Sequence, residues 1–352
     1  MTLHKTSRIL LIGLLFFIIT KGLSQDDFQK AFEDKTRGRT TNVRIDVTDD
    51  LGNEGYLPIS IVKGKTDGPV FTIVAGVHGF EYPPIVATQE LMQEIDVDKL
   101  AGTLIFIPIA NRASFYTRTP FMNPQDKTNL NGAFPGDASG SITQRMAYSI
   151  TEKIIPVSDI FLDIHGGDAC EDLIPFICYY NNEQKPEQTK KAKELSENSG
   201  FEYVVSYPYT LKDEDPAKYV FKQAVQDGKT ALSIEAGKLG NVQEESVILI
   251  KTGVYNMLAQ MNMYDGPKTT PKPNLIKLNH QTYIKSNEKG IFYSPVKAGD
   301  FVKKGDIVGH TTDEFGKTIT KYKAPNSGII LYKIATPPIN RGDTVMCIGD
   351  SL

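Results

Sequence analysis

Tryptophan is absent from this chain, and cysteine and histidine are scarce, three and five among 352 residues. Cys170, Cys178 and Cys347 show no CxxC spacing, which excludes a metal site built on paired thiolates. An odd number leaves at least one thiol unpaired; Cys170 and Cys178 either bridge in an oxidising compartment or sit as buried thiols. An excess of one charge is missing too. With 39 Lys and Arg against 42 Asp and Glu, the net charge is −3 and the pI about 6.0, so there is no electrostatic ground for a nucleic-acid partner. Beyond residue 19 no apolar run approaches the roughly 20 residues that span a bilayer, so no stable membrane span is expected in the mature chain. Low-complexity tracts are absent.

What is present begins with a leader. Lys5 and Arg8 precede an unbroken apolar run of 11 residues, Ile9 to Ile19, followed by small residues at Gly22 and Ser24. That is the layout of a removable secretory signal over residues 1–24, cut after Ser24. The chain is therefore expected to be exported, to a periplasm or outside the cell; an uncleaved anchor is the other reading. No cysteine stands at the cleavage point to carry a lipid. The composition of the whole chain, 40% hydrophobic and 23% charged, is that of an ordinary soluble protein. The length suits one large domain and a smaller one.

Residues 25–42 are polar and read as a mobile lead-in. From 43 to 265 strand and helix patterns alternate. Pro69–Val77 and Gly102–Ala110 are near-continuous apolar runs, as strands buried on both faces require. Asp159–Ile164 and Thr230–Ile234 read as further strands. Pro83 and Pro84 open a helix reaching Ile95. Ser141 with Gln144 forms a capping box ahead of Ile142, Met146, Ile150 and Ile154, which share one helix face. Helical patterns also cover 188–198, 216–227 and 244–263. This predicts an α/β domain with a largely parallel sheet flanked by helices. A Pro- and Lys-rich linker, 266–275, separates it from 276–352. There, short strands alternate with Gly-Asp turns at 299–300, 305–306 and 342–343, which predicts a separate small all-β module.

In open α/β sheets, sites form beyond the carboxyl ends of the strands. The first apolar strand here runs into His78-Gly-Phe-Glu81, the second into Asn111-Arg112 with Arg118 soon after. The third ends Asp163-Ile-His165, the fourth Ser233-Ile-Glu235. Two ligands close in sequence, one distant, and a fourth position left for water is how catalytic zinc is held. His78, Glu81 and His165 fit that pattern, using both histidines of the mature α/β domain. Glu235 is then the general base that takes a proton from water and passes it to a leaving nitrogen. Asp163 either orients a ligand or lies on the opposite face of its strand.

The same residues resemble the succinylglutamate desuccinylase/aspartoacylase family, of the zinc carboxypeptidase-like clan. The matching stretches are Val74–Tyr82 (VAGVHGFEY), Asn129–Gly136 (NLNGAFPG), Asp163–Gly166 (DIHG) and Ile234–Gly237 (IEAG). Pro295–Gly309 and Lys323–Ile330 match in the β module, so coverage runs from about residue 45 to the C-terminus. The resemblance implies one Zn2+ per chain on His78, Glu81 and His165, with Glu235 as the catalytic carboxylate. It implies that Arg118 polarises the scissile carbonyl or grips a substrate carboxylate, and that Asn131 binds a substrate carboxylate. The family arginine after that asparagine is replaced by Gly132; Arg112 or Arg118 takes its place, or the substrate lacks a free carboxylate there. The β module resembles a lipoyl/barrel-sandwich-like fold. It lacks a Met-Lys-Met tip and so a carried cofactor, and it either shapes access to the site or stabilises the domain.

The function expected is zinc-dependent hydrolysis of an amide bond, deacylating an N-acyl amino acid or related small amide. A carboxypeptidase acting on short exported or cell-wall peptides is the second reading. A non-catalytic metal-containing binding protein is the third; the base Glu235 argues against it.

Overall fold

The computed structural model describes residues 27–266 and 274–351. The leader expected over 1–24 lies outside the described residues, as does most of the expected linker. No helix among the described residues is long and apolar enough to cross a membrane.

The first part of the chain runs α1 (Asp27–Glu33), β1 (Arg39–Thr48), β2 (Glu54–Lys63), β3 (Thr66–Ala75), α2 (Tyr82–Glu94), β4 (Ala101–Ile107) and α3 (Arg112–Thr117). It continues through α4 (Ile142–Ser149), β5 (Ile160–His165), β6 (Glu171–Leu173), β7 (Phe176–Asn181), α5 (Pro186–Glu197) and β8 (Tyr203–Pro208). Then come α6 (Val220–Gln226), β9 (Thr230–Glu235), α7 (Glu244–Gln260) and β10 (Ile276–Leu278). Nine of these strands form one mixed sheet in the order β1-β2-β4-β3-β5-β9-β7-β8-β10. Its centre is parallel: β3 pairs with β4 and β5, and β5 with β9. β2 is antiparallel to both β1 and β4, and β7 is antiparallel to β9 but parallel to β8.

Side-chain alternation explains why the central strands are apolar throughout. On β3, Phe71, Ile73 and Ala75 enter one core with residues of α2, α5 and α7, whereas Val74 enters the other with residues of α4 and α6. Both faces are thus covered by helices, and each fully buried Phe or Ile adds about 1.5–3 kcal/mol. The capping box at Ser141 and Gln144 is formed.

One expectation needs correcting. Within the lead-in expected to be mobile over 25–42, the described residues from Asp27 on are structured: α1 occupies Asp27–Glu33, and β1 begins at Arg39. Phe28 is buried and stacks on Phe32 one turn later at 6.0 Å, while Lys63 Nζ donates to the carbonyls of Phe32 and Asp34. An apolar pair spaced i, i+4 in a charged stretch is easily hidden by composition. The C-terminal part is all-β as expected, but it is joined to the α/β part on both sides of the linker. Its first strand, β10, pairs with β8 in the large sheet, and β6 of the α/β part pairs with a strand beyond the linker.

That second part comprises β11 (His280–Lys285), β12 (Gly290–Tyr293), β13 (Phe301–Val302), β14 (Ile307–Thr312), β15 (Thr318–Lys323), β16 (Gly328–Ile334), β17 (Pro338–Ile339) and β18 (Thr344–Asp350). They build two antiparallel sheets, β11-β18-β16-β13 with β6 added beside β16, and β15-β14-β12-β17. At the Gly-Asp turns, Asp300, Asp306 and Asp343 each accept from a backbone N–H three residues earlier. Val302, Val308, Ile330, Val345 and Ile348 fill their own core. Leu331 and Cys347 instead join the cluster that holds Phe176, Cys178 and Val205, so the two parts share buried apolar surface.

Candidate metal centre

After β3 the chain turns through His78 and Gly79 to Glu81 at the start of α2. A Cβ on Gly79 would lie 2.1 Å from the backbone nitrogen of Phe115, so only glycine fits against α3. The Gly79 N–H donates to Ser114 Oγ at 3.2 Å, and Asn111 Oδ1 in turn accepts from the Ser114 N–H at 3.1 Å, capping α3. The loop is therefore clamped from one side. Glu81 occupies the N-cap position of α2 yet makes no cap. Its carboxylate turns inward.

There it meets both histidines. His78 Nδ1 lies 2.7 Å from Glu81 Oε1 and His165 Nδ1 lies 2.9 Å from Oε2. Gly166 N–H donates to Oε2 at 3.2 Å. All three residues are buried, and their ligand atoms lie within 4.8 Å of one another. The far nitrogen of each ring is also engaged: His165 Nε2 with Asp163 Oδ2 at 2.9 Å, His78 Nε2 with Asn129 Oδ1 at 3.1 Å. Residues two apart on a strand share a face, so Asp163 stands with His165, and the opposite-face alternative fails. Acceptors on Nε2 hold the proton there and leave Nδ1 to point at the common centre. Two imidazole nitrogens and a carboxylate, oriented from behind, are a donor set that fits a divalent ion such as zinc.

The electrostatics follow from crowding. Burial would raise the Glu81 carboxyl, but the two imidazoles outweigh it and bring it down to about 2. Burial disfavours charge on His165, yet Asp163 and Glu81 hold its pKa well above the usual value. Burial pushes Glu235 well above the carboxylate range against the pull of His165, with Glu81, Glu171 and Asp163 adding like charge. A cation at the centre would favour its ionised form. Burial also lifts Asp168 to about 6 and Glu171 to about 7.

His78, Glu81, His165 and Glu235 face a cavity of about 540 Å³. Glu235 is the register partner of His165 across β5 and β9. Asn131 lines the same cavity, its carboxamide oxygen buried without a partner. A Cβ on Gly132 would meet nothing within 4 Å. The two arginines are elsewhere. Arg112 lays its guanidinium over Tyr56, 3.8 Å from the ring centroid, and Arg118 is an exposed left-handed residue closing α3. Neither is among the residues that line the cavity.

Sequence reasoning missed other wall residues: Glu171, Tyr207, Tyr283, Lys285 and Tyr332. Glu171 lies six residues past His165, the one usable signal. The tyrosines sit on strands, where tyrosine is common, and Lys285 and Tyr332 come from beyond the linker. All three cysteines are free thiols. Cys178 lines the cavity, but burial raises its pKa far above the usual thiol value, so it is not poised as a nucleophile.

Comparison with known proteins agrees with this geometry. The model of the succinylglutamate desuccinylase/aspartoacylase catalytic domain matches residues 67–261. The N-alpha-acetyl-L-2,4-diaminobutyric acid deacetylase of Halomonas elongata is 29% identical over 300 residues, covering 84% of this chain and 85% of its own length. The product-bound ectoine utilization protein EutE (DoeB) from Ruegeria pomeroyi superposes with a TM-score of 0.79 at 23% identity, over 90% of this chain and 97% of that one. A succinylglutamate desuccinylase from Silicibacter sp. TM1040 gives 0.78 at 24% identity, over 90% and 95%. At these identities the solved structures establish a shared fold.

Proposed function

We propose, because the chain belongs to the succinylglutamate desuccinylase/aspartoacylase family, that it is a zinc-dependent deacylase of a small N-acyl amino acid. Hydrolysis of an amide bond comes with the family. The finer reading is supported by one observation: His78 Nδ1, Glu81 and His165 Nδ1 converge beside Glu235 on the wall of an open cavity. The curated relative named above acts on an acetylated amino acid, and nothing in the comparisons favours the carboxypeptidase reading.

Bound there, zinc supplies Lewis acidity, polarising the scissile carbonyl and making water a nucleophile near neutral pH. The chain's own residues do the rest. Asp163 and Asn129 fix the two rings from behind, so Nδ1 of each stays aimed at the centre. Glu235 accepts the proton that the attacking water gives up and delivers it to the departing nitrogen. Asn131 offers its unpartnered carboxamide to the substrate. Lys285 is the one Lys or Arg among the described residues lining the cavity, so it is the partner available to a substrate carboxylate where Gly132 supplies none. The secretory leader expected from the sequence over residues 1–24 supports an exported enzyme.

The test is release of free amine from a panel of N-acetyl and N-succinyl amino acids, with and without chelator, by wild type and Glu235→Gln. Zinc-loaded wild type should turn over at least one substrate. Chelator should abolish turnover, and zinc should restore it. Glu235→Gln should bind zinc normally and lose about 10²- to 10⁴-fold in rate. A variant that keeps wild-type turnover removes Glu235 from the mechanism; chelator-resistant turnover removes the metal.

A further inference from the structure

We infer that Phe121 limits the length of the acyl group the site accepts, and that Asp168 is the positioning residue that holds its ring in place. The inference rests on the deacylation reading and assigns the residues that bound the acyl half of that substrate.

Phe121 follows α3 and lines the cavity beside His78, Glu81 and His165. Its ring stands edge-on to the His78 imidazole, with centroids 5.2 Å apart and planes at 85°. Its φ is +56°, in the left-handed region that residues other than glycine rarely adopt. Such a conformation persists where the surroundings enforce it. Here they do so on both sides. Before Phe121, Ser114 Oγ donates to the Thr119 carbonyl at 2.7 Å, and the Thr119 N–H donates to the Ser114 carbonyl at 3.1 Å. After it, Met122 bridges to Asn129, whose Oδ1 lies 3.1 Å from His78 Nε2. At Phe121 itself the N–H donates to Asp168 Oδ2 at 3.0 Å. Asp168 is fully buried, and a turn fixes its backbone: its N–H donates to Glu171 Oε2 and its carbonyl accepts from the Glu171 N–H, both at 3.0 Å. Among the described residues, Phe121 is the one hydrogen-bond partner of that carboxylate beyond the adjacent Ala169.

The order of the sheet decides which half of the substrate meets the ring. His78, His165 and Glu235 stand at or just beyond the ends of β3, β5 and β9, which are neighbours in that order. Glu235 gives its proton to the departing nitrogen, so the amino half lies toward β9. Lys285 belongs to that side: on its strand, β11, Gln281 Nε2 donates to the Ser206 carbonyl of β8 at 3.4 Å. The acyl half therefore points toward His78, where Phe121 bounds the cavity. A ring fixed there leaves room for a short acyl chain, and a longer one must displace it or leave its own productive position.

The experiment measures kcat/KM of zinc-loaded full-length protein on the acetyl, butanoyl and hexanoyl derivatives of one amino acid, the one turned over best in the N-acyl panel. Wild type should fall by about 100-fold or more from acetyl to hexanoyl. Phe121→Gly, which suits the left-handed backbone, should shrink that fall to about tenfold or less, with Phe121→Leu between the two. Asp168→Ala should move the length profile in the same direction, and Asp168→Asn, which keeps an acceptor for the Phe121 N–H, should restore most of it. An Asp168→Ala that loses rate equally on all three substrates shows a role in the fold alone and removes Asp168; should that variant not fold, the Phe121 pair and Asp168→Asn decide. A Phe121→Gly profile as steep as wild type overturns the role of Phe121. A wild type that takes hexanoyl as readily as acetyl overturns the inference while leaving deacylation in place. If no acyl derivative of any length is hydrolysed, nor any member of the wider panel, the deacylation reading itself fails and takes this inference with it.

Discussion

Replacing Asp163 by alanine should weaken zinc binding without touching a ligand. Asp163 is fully buried, and its Oδ2 lies 2.9 Å from His165 Nε2. Without it the ring loses the acceptor that fixes its tautomer and orientation, and removing such a partner typically costs about 10- to 100-fold in metal affinity. That corresponds to about 1.4–2.7 kcal/mol. Asp163 and Glu81 raise the His165 pKa, against the burial that lowers it, so in the metal-free protein the ring holds a second proton that an incoming ion must displace. In acid this competition handicaps wild type more than Asp163→Ala, whose His165 is less basic. The gap in apparent affinity should therefore widen from mildly acidic to mildly alkaline pH. Competition with a chromogenic chelator at both pH values measures it, and circular dichroism checks that the variant is folded. Asp163→Asn keeps an acceptor and the volume, and should fall between the two. A folded Asp163→Ala with wild-type affinity, or a gap that narrows as pH rises, refutes the orienting role.

Two further outcomes follow from the loop and the wall. Gly79→Ala drives a Cβ to within 2.1 Å of the Phe115 nitrogen, so the loop carrying His78 and Glu81 must shift; zinc affinity should drop by about tenfold or more, read in the same titration. Lys285→Met should raise KM for N-acyl amino acids with kcat largely kept. Adding Gly132→Arg, which has open space, should recover about half or more of that loss in binding free energy through a new carboxylate clamp, as steady-state kinetics would show.

The parts of this site that can be read in the sequence share a cause. β3, β5 and β9 are parallel neighbours, so their carboxyl ends lie on one edge of the sheet, and strands buried on both faces announce themselves as apolar runs. Wherever such a run stops at His78, His165 or Glu235, the polar residue stands out. The orientation of Asp163 was available by the same logic, since strand alternation alone places it with His165. What could not be read lacks a local signature. Arg112 and Arg118 each follow a strand end, as the ligands do, but one guanidinium is taken by the Tyr56 ring and the other caps a helix in the left-handed region. No short-range pattern separates an arginine that faces a cavity from one that covers an aromatic ring.

The cavity wall is harder still, because it depends on a junction. β6 has three residues, too few for any period to register, yet it joins β16 of the C-terminal sheet. That pairing sets Glu171 opposite Ile334 and Leu173 opposite Tyr332. Leu331 and Cys347 meanwhile enter the core of the α/β part. The C-terminal strands thus contribute cavity residues because they share core with the catalytic part, and neither half of that junction looks unusual alone. Specificity residues drawn from such a junction can change without disturbing the parallel strand ends that hold the metal ligands. The chemistry of this chain is accordingly plainer in its sequence than its choice of substrate.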